Sequence, residues 1–231
     1  MCKDILKVSN RYELTDNWNV TINEDYYEDV SLDEFTFDAV NKGDVITMET
    51  LVPSDFEYKE ACLCMKARHV AVSMYVDDKL EYEYGYDRQK EDRTTGSGDL
   101  LINFYDEYKG KKLRLEYTVT EDDAFSKIDK MWLSEWENSI RYIVTNNRIP
   151  LLMGCFLMVF GVMMTFIQIF AVTFSTKYSN VLLLAVFSMC IGIWTLCYYD
   201  LMVVFAIPLY KVSLMEHMSL FIAPIPILGY M

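Results

Sequence analysis

Residues 12–120 alternate between apolar and polar positions. In HVAVSMYV, Val70, Val72, Met74 and Val76 fall on one face, the period of a half-buried strand. DDK at 77–79 reads as a tight turn. LEYEY then returns with Leu80, Tyr82 and Tyr84 on one face, so 70–84 is expected to form a β-hairpin. KLRLEYTV sets Leu113, Leu115, Tyr117 and Val119 against Arg114, Glu116 and Thr118. VSLDEFTF, DVITMETLV, ACLCMKA and DLLINFY read as further strands, with NKGD at 41–44 as a turn and RTTGSGD at 93–99 as a longer loop. About seven or eight short strands at this spacing predict an all-β sandwich.

From Ser126 the period lengthens. Ile128, Trp132, Trp136, Ile140 and Ile143 recur every three or four residues, so 126–148 is expected to be a partly helical connector. Trp132 and Trp136 suit either packing beneath the sandwich or a place at a lipid–water interface. Arg148 closes the charged region, and these three residues are the candidates for coupling the two halves of the chain.

After Arg148 come 28 positions without a charge, 149–176. About 20 apolar residues cross a bilayer, so a first span is expected at about 149–174. A short turn, STKYSN, leads to a second at about 180–199. LMVVFAIPLY, 201–210, is too short to cross and reads as a re-entrant or interfacial piece, or the end of a kinked helix. A third span, at about 213–231, looks cut short. The organisation expected is thus residues 1–125 as sandwich, 126–148 as connector and 149–231 as membrane region.

Charge sharpens this division. Residues 149–231 hold only Lys177, Lys211, Asp200 and Glu216 as charges, so the whole net charge of −13 sits in 1–148. An acidic domain repels a polyanion, which argues against nucleic acid as a partner. The two spans form a hairpin, and Lys177 between them marks its loop as cytoplasmic. A multi-pass cell-membrane protein with an extracytoplasmic N-terminal domain is expected. MCKDILKVSN has no apolar core like that of a signal peptide. The expectation is that an anchor precedes Met1 and that the chain is a fragment.

Chemistry is sparse. No GxSxG, HExxH, CxxC or phosphate-loop motif occurs, so no catalytic residue is assigned and no enzyme activity is expected of this chain. Cys62 and Cys64 share a strand face, but His69 and His217 are the only histidines to complete a zinc site, so no metal or cofactor is expected. NEDYYED, 23–29, lacks the spacing and central glycine of a calcium loop and reads as an acidic loop. Cys155, Cys190 and Cys197 read as small apolar residues, and His69 as a packed or surface residue. Asp200 and Glu216 are placed at the membrane edge. Tyr82, Tyr84 and Tyr86 in YEYGYD are the candidate ligand contacts, because aromatic rings stack on flat ligand faces such as sugars. The competing reading is that Tyr82 and Tyr84 are core or cross-strand partners. Gly154 and Gly161 are seven apart, not at GxxxG spacing, and leave helix association open.

The segments VSLDEFTF…NKGDVITMETLVP (30–53), VAVSMYVDDKLEYEYG (70–85), GSGDLLINFYDEYKGKKLRLEYTVTEDDAFSKI (96–128) and LAVFSMCIGIWTL…MSLFIAPIPI (184–227) carry a family likeness. In their order the chain resembles the bacterial seven-transmembrane receptors with diverse intracellular signalling modules, especially the sensor half of membrane-bound diguanylate cyclases. The resemblance implies an outer jelly-roll domain for a carbohydrate-like or other small ligand. It also implies a lipid-embedded bundle of six to eight helices, a homodimer, and a cytoplasmic output such as a GGDEF cyclase or a histidine kinase. This sequence has no GGDEF, GGEEF or kinase motif. Two alternatives stand beside it: a membrane-anchored surface adhesion or assembly module, and an accessory subunit of a transporter or enzyme. The latter needs polar groups within the spans, where Gln168 is the only amide or charged side chain deep in the first.

Overall fold

The computed structural model describes residues 11–56, 58, 60–174 and 181–230. The chain divides into two compact units, Met1–Tyr142 and Ile143–Met231. The first holds strands β1 (Arg11–Glu13), β2 (Trp18–Ile22), β3 (Asp25–Val30), β4 (Val45–Leu51), β5 (Ala61–Arg68), β6 (Val70–Val76), β7 (Lys79–Tyr84), β8 (Ser97–Phe104), β9 (Lys112–Val119) and β10 (Trp132–Glu135), with a short helix α1 (Tyr86–Lys90). Helix α2 (Trp136–Asn146) crosses the boundary. The second unit holds α3 (Arg148–Phe174), α4 (Val181–Tyr198), α5 (Leu209–Ile222) and α6 (Pro224–Tyr230).

The strands form two antiparallel sheets, ordered β1-β10-β5-β8 and β3-β2-β4-β9-β6-β7. Alternation is kept where one face meets solvent. Leu113, Leu115, Tyr117 and Val119 of β9 are buried, and their cross-strand neighbours Ile46, Met48, Val72 and Met74 are buried with them. The β6–β7 turn is a two-residue loop, Asp77–Asp78, with φ +48° and +64°. Positive φ at both central residues is the turn that matches strand twist, and aspartate tolerates it.

Alternation fails in β5, where Ala61 to Met65 are all buried. Leu63 and Met65 occupy one face. The opposite face carries Cys62, whose sulfur lies 3.2 Å from Ser139 Oγ of α2, so a helix covers it. Burial pushes the Cys62 thiol up.

Two segments depart from the sequence reading. VSLDEFTF, 30–37, is not a strand beyond the end of β3 and a single bridge from Thr36 to Lys127. Ser31 C=O accepts from the N–H groups of Glu34 and Phe35 at 3.2 and 3.0 Å and turns the chain. Phe35 and Phe37 then pack into a run of rings from Tyr27 to Phe125. The pattern was periodic because alternate side chains join this cluster, not because a ladder exists. NEDYYED contains an edge strand: β3 pairs with β2 across an Asn23–Glu24 turn.

The connector, 126–148, contains β10 as well as helix. Trp132 to Glu135 pair with β1 and β5, so the sheet domain continues past residue 125.

Among the described residues of the second unit, three helices are long and apolar enough to cross a membrane: Arg148–Phe170, Val181–Tyr198 and Leu209–Leu228. The third starts earlier than the apolar run suggests, because Lys211 and Glu216 are carried within α5. Before it, Leu201–Phe205 form a 3-10 turn between Asp200 and Ala206, both at positive φ. STKYSN, with Lys177, and residues 1–10 and 231 lie outside the described residues.

Among the described positions 148–170 of α3, those buried are Gly154, Gly161 and Gln168, seven apart. A Cβ at Gly154 would lie 2.7 Å from Leu196, and one at Gly161 would lie 2.8 Å from Ala185 O. The seven-residue spacing is therefore the seam with α4. Small residues let backbones approach closely, and a period of seven keeps one stripe on the partner.

Candidate functional site

The three candidate tyrosines do not share a surface. Tyr82 and Tyr84 sit opposite Met74 and Val72 and therefore on the buried face of β7, the outermost strand of its sheet. The Tyr84 hydroxyl donates to Thr95 O at 2.6 Å. Burial pushes the Tyr82 phenol up. Gly85 then turns the chain at φ +81°. Tyr86, in α1, has its hydroxyl 3.4 Å from Thr118 Oγ1, and Thr118 lies on the other face of β9 from Tyr117.

Of the connector residues, Trp132 packs edge-on against Tyr142 of α2, with ring centroids 5.5 Å apart. The Arg11 guanidinium lies over Tyr142 at 4.3 Å and over Trp132 at 5.7 Å. These contacts fasten α2 to the face of the four-stranded sheet that also carries Cys62. Trp136 begins α2, and its N–H donates to Glu60 O at 3.0 Å. Arg148 is the first residue of α3 and is exposed.

Trp136 also lines a recess that sequence reasoning missed. In register, Ala61 of β5 faces both Phe104 of β8 and Glu135 of β10, so three strand ends meet at one place. The residues just beyond them, Tyr58 and Glu60, Tyr105 and Asp106, and Trp136, surround a cavity of about 430 Å³ with Asn103 and Phe104. That is within the usual range for small-ligand sites. The rings belong to one cluster: Phe56 stacks on Tyr58 at 5.8 Å, and Tyr108 meets Phe104 and Tyr105 edge-on at 5.2 and 5.4 Å. The Tyr108 hydroxyl donates to Glu81 at 3.1 Å, and burial and this carboxylate both raise its pKa. Tyr105 is nevertheless 53 % exposed and Trp136 38 %. The signal in the sequence was NFYDEY (103–108) beside DFEYKE (55–60), two aromatic–acidic clusters 48 residues apart that only strand pairing brings together.

A second, larger cavity of about 1020 Å³ lies beside β3 and the end of β4, with Glu13, Asp16, Glu28, Asp29, Glu49 and Asp55 in its wall. Lys112 of that wall is paired with Glu49 at 2.9 Å. It is a wide polar groove with little aromatic surface. His69 is held at φ +52° with Nδ1 3.3 Å from Thr94 Oγ1 and 3.1 Å from Glu121 Oε1. Among the described residues no group of three or more His, Cys, Asp or Glu is placed to hold a metal ion.

Comparison with known proteins adds little. No family model matches the chain, and no curated protein matches it. Among solved structures it is similar to a β-glucosidase from Kluyveromyces marxianus in complex with glucose, at 12% identity and a TM-score of 0.31. The match covers 55% of this chain and 18% of that one, and a likeness this weak carries no argument.

Proposed function

We propose that this chain is the ligand-sensing and membrane-anchoring part of a bacterial signalling receptor, with its sheet domain on the extracytoplasmic side. The carrying observation is connectivity. Strand β10 passes straight into α2, and only Asn147 separates α2 from α3. No flexible linker intervenes that would decouple the sheet from the membrane helix.

Strand order supports a jelly-roll reading. With the β2–β3 hairpin set aside as an insertion, the sheets run β1-β10-β5-β8 and β4-β9-β6-β7. Counted as eight strands this is 1-8-3-6 and 2-7-4-5, the double Greek key of a jelly roll. The aromatic recess is the ligand site in this reading, because Trp136 belongs both to its wall and to the first turn of α2.

The mechanism is a population shift. A ligand that binds one packing of α2 on the sheet better than another biases the helices that follow. By the resemblance given above, the output is a diguanylate cyclase, acting in a homodimer embedded in lipid. The test is a chromosomal deletion of two residues within 140–147 in the cell that makes the receptor. Two residues turn a helix by about 200°, so the cyclic diguanylate level should lose its dependence on ligand. An unchanged response would refute coupling through α2.

A further inference from the structure

The recess combines features that favour one ligand chemistry. Its described lining has four aromatic residues, Tyr58, Phe104, Tyr105 and Trp136, two carboxylates, Glu60 and Asp106, and no lysine or arginine. Aromatic faces carry negative charge density and attract cations, most strongly where water is partly excluded. The cluster already holds an ammonium of the chain itself: Lys109 Nζ lies 4.7 Å from the centre of the Phe56 ring and 2.9 Å from Asp106. The local field is negative as well. Burial raises the pKa of Tyr58, and the charge of Glu135 raises it further.

We infer that the recess between β5, β8 and the start of α2 binds a small organic cation, a quaternary ammonium or alkylated amine. Tyr105 and Trp136 cover its apolar substituents, and Glu60 balances its charge. A sugar fits less well. It needs several directed hydrogen bonds, whereas one of the two carboxylates here is already engaged by Lys109. Tyr105 and Trp136 stay exposed to solvent, as expected of side chains that a ligand covers. This inference takes from the sensor reading only the recess as ligand site. It concerns binding alone, so it can fail while the receptor role stands, and the reverse also holds.

The experiment uses the full chain in vesicles of phosphatidylethanolamine and phosphatidylglycerol, which contain no quaternary ammonium. Tetramethylammonium and methyl glucoside are titrated by calorimetry at constant ionic strength, with protein-free vesicles subtracted. Tetramethylammonium should bind saturably. Tyr105→Ala and Glu60→Gln, both at the rim, should each weaken it about tenfold without changing the melting temperature. Trp136→Phe should weaken it less than Tyr105→Ala, since it keeps a ring in place. Binding of methyl glucoside alone, absence of saturable binding, or tetramethylammonium binding untouched by both rim variants would each overturn the assignment.

Discussion

Several residues do work here that their neighbours define. Glu81 accepts hydrogen bonds from Lys79 at 2.7 Å and from the buried Tyr108 hydroxyl at 3.1 Å. The Lys79 ammonium, and then the Tyr108 hydroxyl, hold its carboxyl below the usual glutamate range. A carboxyl whose pKa falls on folding stabilises the fold above its unfolded pKa, and that stabilisation is lost as pH falls through the folded one. Glu81→Gln should therefore lower stability at neutral pH, leave it little changed near pH 3, and so flatten the acid side of the stability–pH curve, as read by denaturant titration from pH 7 to pH 3. An acid limb as steep as in the parent chain would remove Glu81 from that role. Arg68 makes a side-chain ion pair. Its guanidinium grips Asp129 with two bonds, at 2.6 and 2.8 Å, and ties the segment before β10 to the end of β5.

At the scale of elements, the packing of α3 on α4 is set by absence of side chains. Gly161→Ala would place a Cβ 2.8 Å from a backbone oxygen and 2.5 Å from the Met189 side chain. Methionine can move aside, whereas the Ala185 carbonyl cannot, so the helices must separate. Overpacking of this kind costs about 1–3 kcal/mol, to be measured as a lower melting temperature of the full chain in vesicles. Gly154→Ala meets mainly the end of Leu196, a flexible side chain, and its cost should be smaller. Equal melting for Gly161→Ala and the parent would place the seam elsewhere. Helix α2 is the other decisive element. It buries the second face of β5 through Ser139 and holds Tyr142 against Trp132, which makes a continuous apolar run possible in a strand that would otherwise alternate.

At the scale of the molecule, the charge boundary implies two solvents. The sheet domain is acidic and the three long helices are apolar. An extracytoplasmic sheet domain predicts that Ser54→Cys, on an exposed loop, is labelled by a membrane-impermeant maleimide in intact cells. With Cys2→Ser as the common background, the chain without Ser54→Cys, whose Cys62 and Cys64 are buried and whose Cys155, Cys190 and Cys197 lie in apolar helices, should stay unlabelled. Labelling only after lysis would reverse the orientation.

The sequence by itself determined the two-part division, the β6–β7 hairpin, most strands and the existence of apolar spans. Those features follow from periodicity and composition, which are local. What it left open depended on partners distant in the chain. β10 is a strand because β1 and β5 supply its hydrogen bonds, although its own period looks helical. Among the described residues no strand lies beside 31–37, which carry only the Thr36–Lys127 bridge and so lack a ladder. The glycines at 154 and 161 acquire meaning only against Ala185, Met189 and Leu196. The recess exists only because pairing sets residue 61 beside 104 and 135, and no local pattern contains that register.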